Sequence, residues 1–217
     1  MTAAVHPELA ELLARQPYVV ELDGLALEVH EDVFPPDLGR CARNMARLCA
    51  RYAPTTALDV GCGSGYLALS MKRDGAAEVW ASDNHPAAVD CARRNVRRNA
   101  GVGPVHVVQG DLFEAVPRRL RFDLVTFHQP YAPSGDDDGV CGCGPDGGYD
   151  VTRRFLLAAP AFLAPGGATM MAFSDRAPAE NDPKRVAEQL GYRVHTLLDE
   201  VYSDSRNWIY ELSPAAR

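Results

Sequence analysis

From Thr56 onward, short runs of mostly apolar residues alternate with stretches whose apolar positions recur at helical spacing. The runs are Ala57 to Val60, Glu78 to Ala81, Val105 to Val108, Phe122 to Phe127 and Ala168 to Phe173. Between them the spacing predicts helices over Tyr66 to Arg73, Pro86 to Asn99 and Tyr149 to Leu163. Strands that are apolar on both faces and alternate with helices predict a parallel sheet with helices on both sides. A last helix, Pro183 to Leu190, precedes two strand-like runs, Arg193 to Leu198 and Trp208 to Leu212. No helix separates these two, so they are expected to pair antiparallel. The fold class is α/β: an open, mostly parallel sheet with an antiparallel C-terminal edge.

The stretch before Thr56 has a different pattern. Pro7 to Arg15 has the spacing of a short amphipathic helix, and a second helix is expected from about Asp37 to Arg51. Between them, Tyr18-Val19-Val20 and Leu25-Ala26-Leu27 flank Asp23-Gly24, a reasonable two-residue hairpin signal.

Composition narrows the class of molecule. The 217 residues are 47% hydrophobic and 24% charged, the balance of a globular chain rather than a disordered one. No apolar run approaches the roughly 18 residues of a membrane span. The N-terminus lacks the basic start and apolar core of a signal peptide, so a cytoplasmic location is expected. With 22 basic and 29 acidic residues the net charge is −7, the wrong sign for broad phosphate contact. Nucleic acid is therefore not expected as a partner. Six cysteines are too few for a disulfide scaffold and are expected to stay reduced.

The sharpest chemical feature is Leu58-Asp59-Val60-Gly61-Cys62-Gly63-Ser64-Gly65, a strand running into a glycine turn before a helix that opens at Tyr66. In open α/β sheets ligands bind at the carboxyl ends of strands, where this turn lies. Asp59 is an acid inside an otherwise apolar strand. Asp83 ends the next strand and is followed by Asn84; an acid about twenty residues past the glycines is placed to accept two ribose hydroxyls. A third acid, Asp111, follows the third strand and precedes Leu112. Three acids at successive strand ends suit a nucleoside with a cationic amino-acid tail and suit a pyrophosphate badly. The sixth position of the dinucleotide fingerprint is missing, which weighs against a nucleotide-dependent dehydrogenase.

These residues resemble the class I S-adenosylmethionine (SAM) dependent methyltransferases, which have a Rossmann-like sheet. The resemblance implies SAM as cofactor and S-adenosylhomocysteine as product. It places Asp59 and Gly61 beside the methionine part, and makes Cys62, Gly63, Gly65, Tyr66 and His128 further cofactor contacts. Asp83 and Asn84 would then lie at the ribose, and Asp111 and Leu112 at the adenine. After the fourth strand comes His128-Gln129-Pro130-Tyr131, similar to the Asn-Pro-Pro-Tyr tetrad of enzymes that methylate planar nitrogens, among them the HemK-type protein glutamine methyltransferases. Gly144 to Phe155 is similar to a Gly-Gly-x-Asp-Gly segment of that group, and Leu163-Ala164-Pro165-Gly166-Gly167 to another methyltransferase signature. Val29 to Pro36, with Phe34 as a candidate substrate contact, resembles the segment that precedes the cofactor domain. The likeness spans Val29 to Phe173. It divides the chain into a substrate-covering segment, 1–54, and a SAM-binding domain, 55–217.

Two departures matter. His128 and Gln129 stand where the tetrad has Asn or Asp and then Pro. In the family the first side chain and the next carbonyl accept hydrogen bonds from the amino group, which makes catalysis mainly a matter of positioning. A neutral imidazole accepts one such bond, or removes a proton, and at an ordinary pKa of about 6.5 its protonation would depress turnover just below neutrality. The bland alternative for His128 is a strand-end histidine that bonds its own loop. Tyr131 is placed to stack on a flat acceptor. The second departure is the short N-terminal part, which leaves little room for a protein-gripping domain. A small-molecule acceptor is therefore expected, with protein glutamine or RNA as alternatives. Cleavage or cyclisation of the aminobutyryl part of SAM, and a cofactor-binding module without turnover, are further possibilities.

Weaker signals remain. Ala132 to Gly148, with Asp136, Asp137 and Asp138, reads as a lid or as a solvated loop. Cys141 and Cys143 lack a second Cys/His pair, so no metal is expected. Arg93-Arg94-Asn95-Val96-Arg97-Arg98 reads as a solvated helix face.

Overall fold

The computed structural model describes residues 7–130, 149–202 and 205–215. In chain order the elements begin with α1 (Pro7–Ala14), β1 (Tyr18–Leu22), β2 (Leu25–Val29) and α2 (Cys41–Tyr52). They continue with β3 (Thr56–Val60), α3 (Tyr66–Arg73), β4 (Glu78–Asp83), α4 (Pro86–Arg98), β5 (His106–Gln109) and β6 (Phe122–Phe127). The chain closes with α5 (Tyr149–Ala158), β7 (Leu163–Ser174), α6 (Pro183–Gln189), β8 (Arg193–Tyr202) and β9 (Ser205–Ser213). The seven-stranded sheet has the order β5-β4-β3-β6-β7-β9-β8. Strands β3 to β7 run parallel, and β9 is antiparallel to both of its neighbours.

The last two strands pair antiparallel, as their unbroken connection predicts, but β9 slots between β7 and β8 and leaves β8 at the edge. Two helices are shorter than their periodicity implies. Helix α2 starts at Cys41 rather than Asp37, and Asp37 instead accepts a hydrogen bond from the Tyr18 hydroxyl. Helix α5 gives way to a 3-10 turn at Ala159–Ala161, because Pro160 has no N–H to continue the ladder.

Strand alternation sorts the core into two layers. Ala57, Leu124, Met170 and Ile209 point to one face, where they meet Met45 and Cys49 of α2 and Leu67 and Met71 of α3. Their successors Leu58, Val125, Met171 and Tyr210 point to the other, against Phe155 and Leu156 of α5 and Val186 of α6. The buried positions of α2, at 42, 45, 46 and 49, trace one helical stripe.

The N-terminal hairpin forms at Asp23-Gly24, both with positive φ, as a type I′ turn requires. Leu22, Leu25 and Leu27 are buried in the same cluster as Met45 and Leu67, so the hairpin is built onto the first layer. Its outer edge is closed by two asparagines four residues apart, Asn95 on α4 and Asn99 just past its end. Asn99 pairs with both backbone groups of Ala26, and Asn95 with both of Glu28, at 2.8–3.1 Å. Each amide imitates a neighbouring strand.

Candidate active site

Strand β3 lies between β4 and β6, and the chain reaches those two neighbours along opposite faces of the sheet. Such a reversal opens a crevice at the carboxyl ends of the strands. A cavity of about 400 Å³ lies there, within the size range of cofactor pockets. Its lining brings together Asp59, Gly61, Cys62, Gly63 and Tyr66 from the β3–α3 turn, Asp83 and Asn84 from β4, and Asp111 and Leu112. His128, Gln129 and Pro130 close one wall, and Val33, Phe34, Pro35 and Pro36 another. Tyr131, the Asp136–Asp138 run, Cys141 and Cys143 lie outside the described residues. Gly65 was expected with the lining group and instead packs beneath it, where a Cβ would sit 3.2 Å from that of Ala92.

The glycine turn is held from behind. The Cys62 N–H bonds the Ser82 carbonyl at 3.0 Å, and the Asn95 amide bonds the Ser64 carbonyl at 2.9 Å. Gly63 has a φ of +51° and a Cβ position facing open space, so a ligand can approach the bare backbone here. The Asp83 carboxylate accepts from the Gly63 N–H and the His85 N–H, both at 2.9 Å, one on each oxygen. Each oxygen keeps a second lone pair for an outside donor. Leu112 adopts a φ of +50°, and its carbonyl is fixed by the buried Ser82 hydroxyl at 2.8 Å. Tyr66 is buried, and its hydroxyl donates to Asp23 at 2.6 Å, tying the hairpin turn to the start of α3.

Two acids behave differently. Asp59 is 1% exposed; burial pushes its pKa up to about 7, against the stabilising Thr126 hydroxyl bond at 2.8 Å. Asp111 is half exposed and pairs with Arg154 of α5, which also holds Asp150. Burial also raises the Cys62 thiol well above its ordinary pKa, so it stays protonated and packs as a small apolar group.

At the end of β6, His128 lines the cleft and is partly buried. Enclosure by protein depresses its pKa to about 4, so the imidazole is neutral near pH 7. This corrects the ordinary value of about 6.5 expected from sequence. Gln129 is 2% exposed, and its side chain is engaged within the protein: it accepts from the Thr152 hydroxyl at 2.6 Å and donates to the Asn181 carbonyl at 3.4 Å.

Val33, Pro35 and Pro36 line the cleft beside Phe34, where the sequence places the segment Val33-Phe34-Pro35-Pro36. Other contributors have no signal in the sequence. Thr152, Asn181 and Ser82 act through other residues and leave no local pattern. For Asn95 and Asn99 a signal existed: two amides four residues apart within an arginine-rich helix.

The described lining contains Asp32, Asp59, Asp83 and Asp111 but no lysine or arginine. Among the described residues no cluster could hold a metal ion and no helix is long and apolar enough to cross a membrane.

Comparison with known proteins agrees with this architecture. The methyltransferase small domain family matches residues 44–195. A Methanocaldococcus jannaschii protein provisionally named protein N5-glutamine methyltransferase is 27% identical over 184 residues, covering 81% of this chain and 89% of its own length. A release factor glutamine methyltransferase of Burkholderia pseudomallei is 36% identical over 166 residues, covering 68% and 58%. The chain spans about half the length of the release factor enzymes it matches. Among solved structures, a T. Thermophilus 16S rRNA N2 methyltransferase with bound SAM and guanosine superposes with a TM-score of 0.66 at 22% identity, over 89% of this chain and 49% of that one.

Proposed function

The chain belongs to the methyltransferase small domain family and is a SAM-dependent methyltransferase, and from that premise we propose that its acceptor is the side-chain amide of a glutamine in a protein. What supports this reading is the place of His128 in the cleft wall at the end of β6, where the tetrad of planar-nitrogen methyltransferases stands, together with the glutamine methyltransferases among the relatives. An uncharged acceptor is what a planar amide N–H requires.

The cleft fits the cofactor. SAM supplies a methyl carbon made electrophilic by its sulfonium. Acidic walls without a basic side chain favour that cation and its ammonium tail. In this assignment Asp59, Gly61 and Gly63 border the methionine part, with Cys62 and Tyr66 packing around it. Asp83 and Asn84 take the ribose, and Asp111 and Leu112 the adenine. The segment before the cofactor domain covers the cleft through Val33 to Pro36.

An amide nitrogen is a poor nucleophile because its lone pair is delocalised. The residues at the end of β6 must therefore orient it rather than merely bind it. His128 accepts one N–H at an imidazole nitrogen and holds the acceptor in place. With a pKa near 4 it is too weak a base to ionise a resting amide. Once the nitrogen carries the methyl group, its two N–H protons are far more acidic, and one leaves to the imidazole or to water only after the methyl transfer. Phe34 and Tyr131 are the assigned contacts for the planar acceptor.

The small-molecule acceptor expected from the short N-terminus finds no support among these relatives, whose names specify glutamine or rRNA. Acidic walls and the net charge of −7 disfavour a polyphosphate acceptor over a protein one. Incubation with methyl-labelled SAM and cell extract, followed by peptide mapping, tests the assignment. Label is expected on a glutamine amide. Label confined to RNA or to small molecules would overturn it, as would methylthioadenosine formed without acceptor.

A further inference from the structure

We propose that Thr152, which does not line the cleft, is a positioning residue of the transferring end, acting through Gln129 on the backbone that presents His128. The inference rests on the reading of His128 given above.

The strip His128-Gln129-Pro130 leaves β6 and forms one wall of the cleft. Where the related tetrad has a proline, whose ring restricts the backbone, this chain has glutamine, which is free in φ. Something else must hold the strip. The Gln129 side chain is 2% exposed and spans two separate elements. Its oxygen accepts from the hydroxyl of Thr152, 0% exposed in the first turn of α5, at 2.6 Å. Its nitrogen donates at 3.4 Å to the backbone carbonyl of Asn181, 1% exposed in the 3-10 turn Ala179–Asn181 after β7. The Thr152 bond is much the shorter and links two fully enclosed polar groups, so it is the stronger anchor.

Removing the Thr152 hydroxyl leaves the Gln129 carbonyl oxygen without its partner in a dry site, and the amide must turn or draw in water. Either response moves the backbone between His128 and Pro130. A displacement of about an ångström at a positioning group is enough to cost turnover. Asp59 and Asp83 sit on β3 and β4, away from this anchor, and Asp111 meets α5 only through the exposed Arg154. Cofactor affinity should therefore survive while alignment is lost.

The test compares Thr152→Val, which keeps the shape and loses the hydroxyl, with Thr152→Ser, which keeps the hydroxyl. The first readout needs no acceptor: the imidazole 15N resonances of His128, assigned by their disappearance in His128→Asn. They should move in Thr152→Val and return in Thr152→Ser, with SAM affinity by calorimetry within about twofold of wild type in both. The second readout is kcat, expected to fall about tenfold or more in Thr152→Val with KM little changed, and to recover in Thr152→Ser. Should Thr152→Val fail to fold, Gln129→Met, which removes this hydrogen bond and the one to Asn181 from the other side, should move the same His128 resonances. Unmoved His128 resonances would overturn the proposal. So would a loss of kcat that tracks a loss of SAM binding and folded fraction. Resonances that move while no glutamine acceptor can be found would leave the anchor standing and count against the glutamine reading alone.

Discussion

The two halves of the cleft are built in different ways. The cofactor half is backbone work: a glycine turn, an acid at a strand end, and amide groups converging on them. Asp83 bonds the N–H groups of residues 63 and 85, both within about twenty positions of it. The transferring half is side-chain work across long sequence separations. Thr152 reaches Gln129 over 23 residues and Asn181 reaches it over 52. A site made from one strand–turn–helix unit can be recognised in a linear pattern. A site made from three elements brought together by the sheet order cannot, because each contributor has its own unremarkable local context.

If this contrast is sound, damage to the two halves should separate. The largest effect is expected where the cofactor half rests on its foundation. Leu27 is fully buried between the hairpin and α3. Leu27→Ala should cost about 2–5 kcal/mol of stability. Denaturant unfolding checks this, and an unchanged midpoint would mean that the hairpin is peripheral after all.

Asp83→Ala comes next. Loss of hydrogen bonds to a carboxylate should weaken SAM binding by about 1.5–3 kcal/mol. Calorimetry on the folded variant should show that loss, whereas unchanged affinity would contradict the ribose assignment.

A smaller effect is expected from Asp59. Its folded pKa is raised to about 7, so the unliganded protein keeps this carboxyl largely protonated below neutrality. The raised value stabilises the unliganded fold below the ordinary carboxylate pKa of about 4, and that contribution is lost as pH rises through 7. A cationic cofactor favours the carboxylate form. Binding should therefore expel a proton, and affinity should rise with pH by up to about tenfold per unit until pH 7 and then level off. Proton release measured in buffers of different ionisation enthalpy checks this. An equally steep dependence in Asp59→Asn would show that another group is responsible.

The sheet, the hairpin turn and the acids that line the cleft were legible because each rests on a local regularity: apolar runs alternating with helices, Asp23-Gly24, glycines after an apolar run. Helix α2 began late because Asp37 found a tertiary partner in Tyr18. The His128 pKa was out of reach, since it depends on enclosure by segments distant in sequence. The length of the N-terminal part, which pointed to a small-molecule acceptor, carries no chemistry, and the named relatives support a glutamine acceptor better.

The central claim is that His128 works as a neutral hydrogen-bond acceptor. Its depressed pKa means that the neutral form persists as pH falls and is lost only as pH approaches about 4. The decisive measurement is kcat against pH, from about 5 to 8, for wild type, His128→Asn and His128→Ala with a glutamine-bearing protein acceptor. The account predicts no inflection near 6.5 in the wild type, a His128→Asn enzyme within about tenfold of it because the amide oxygen can also accept, and a larger loss in His128→Ala. An inflection near 6.5 with the Asn and Ala variants equally inactive would make His128 a general base and contradict the claim.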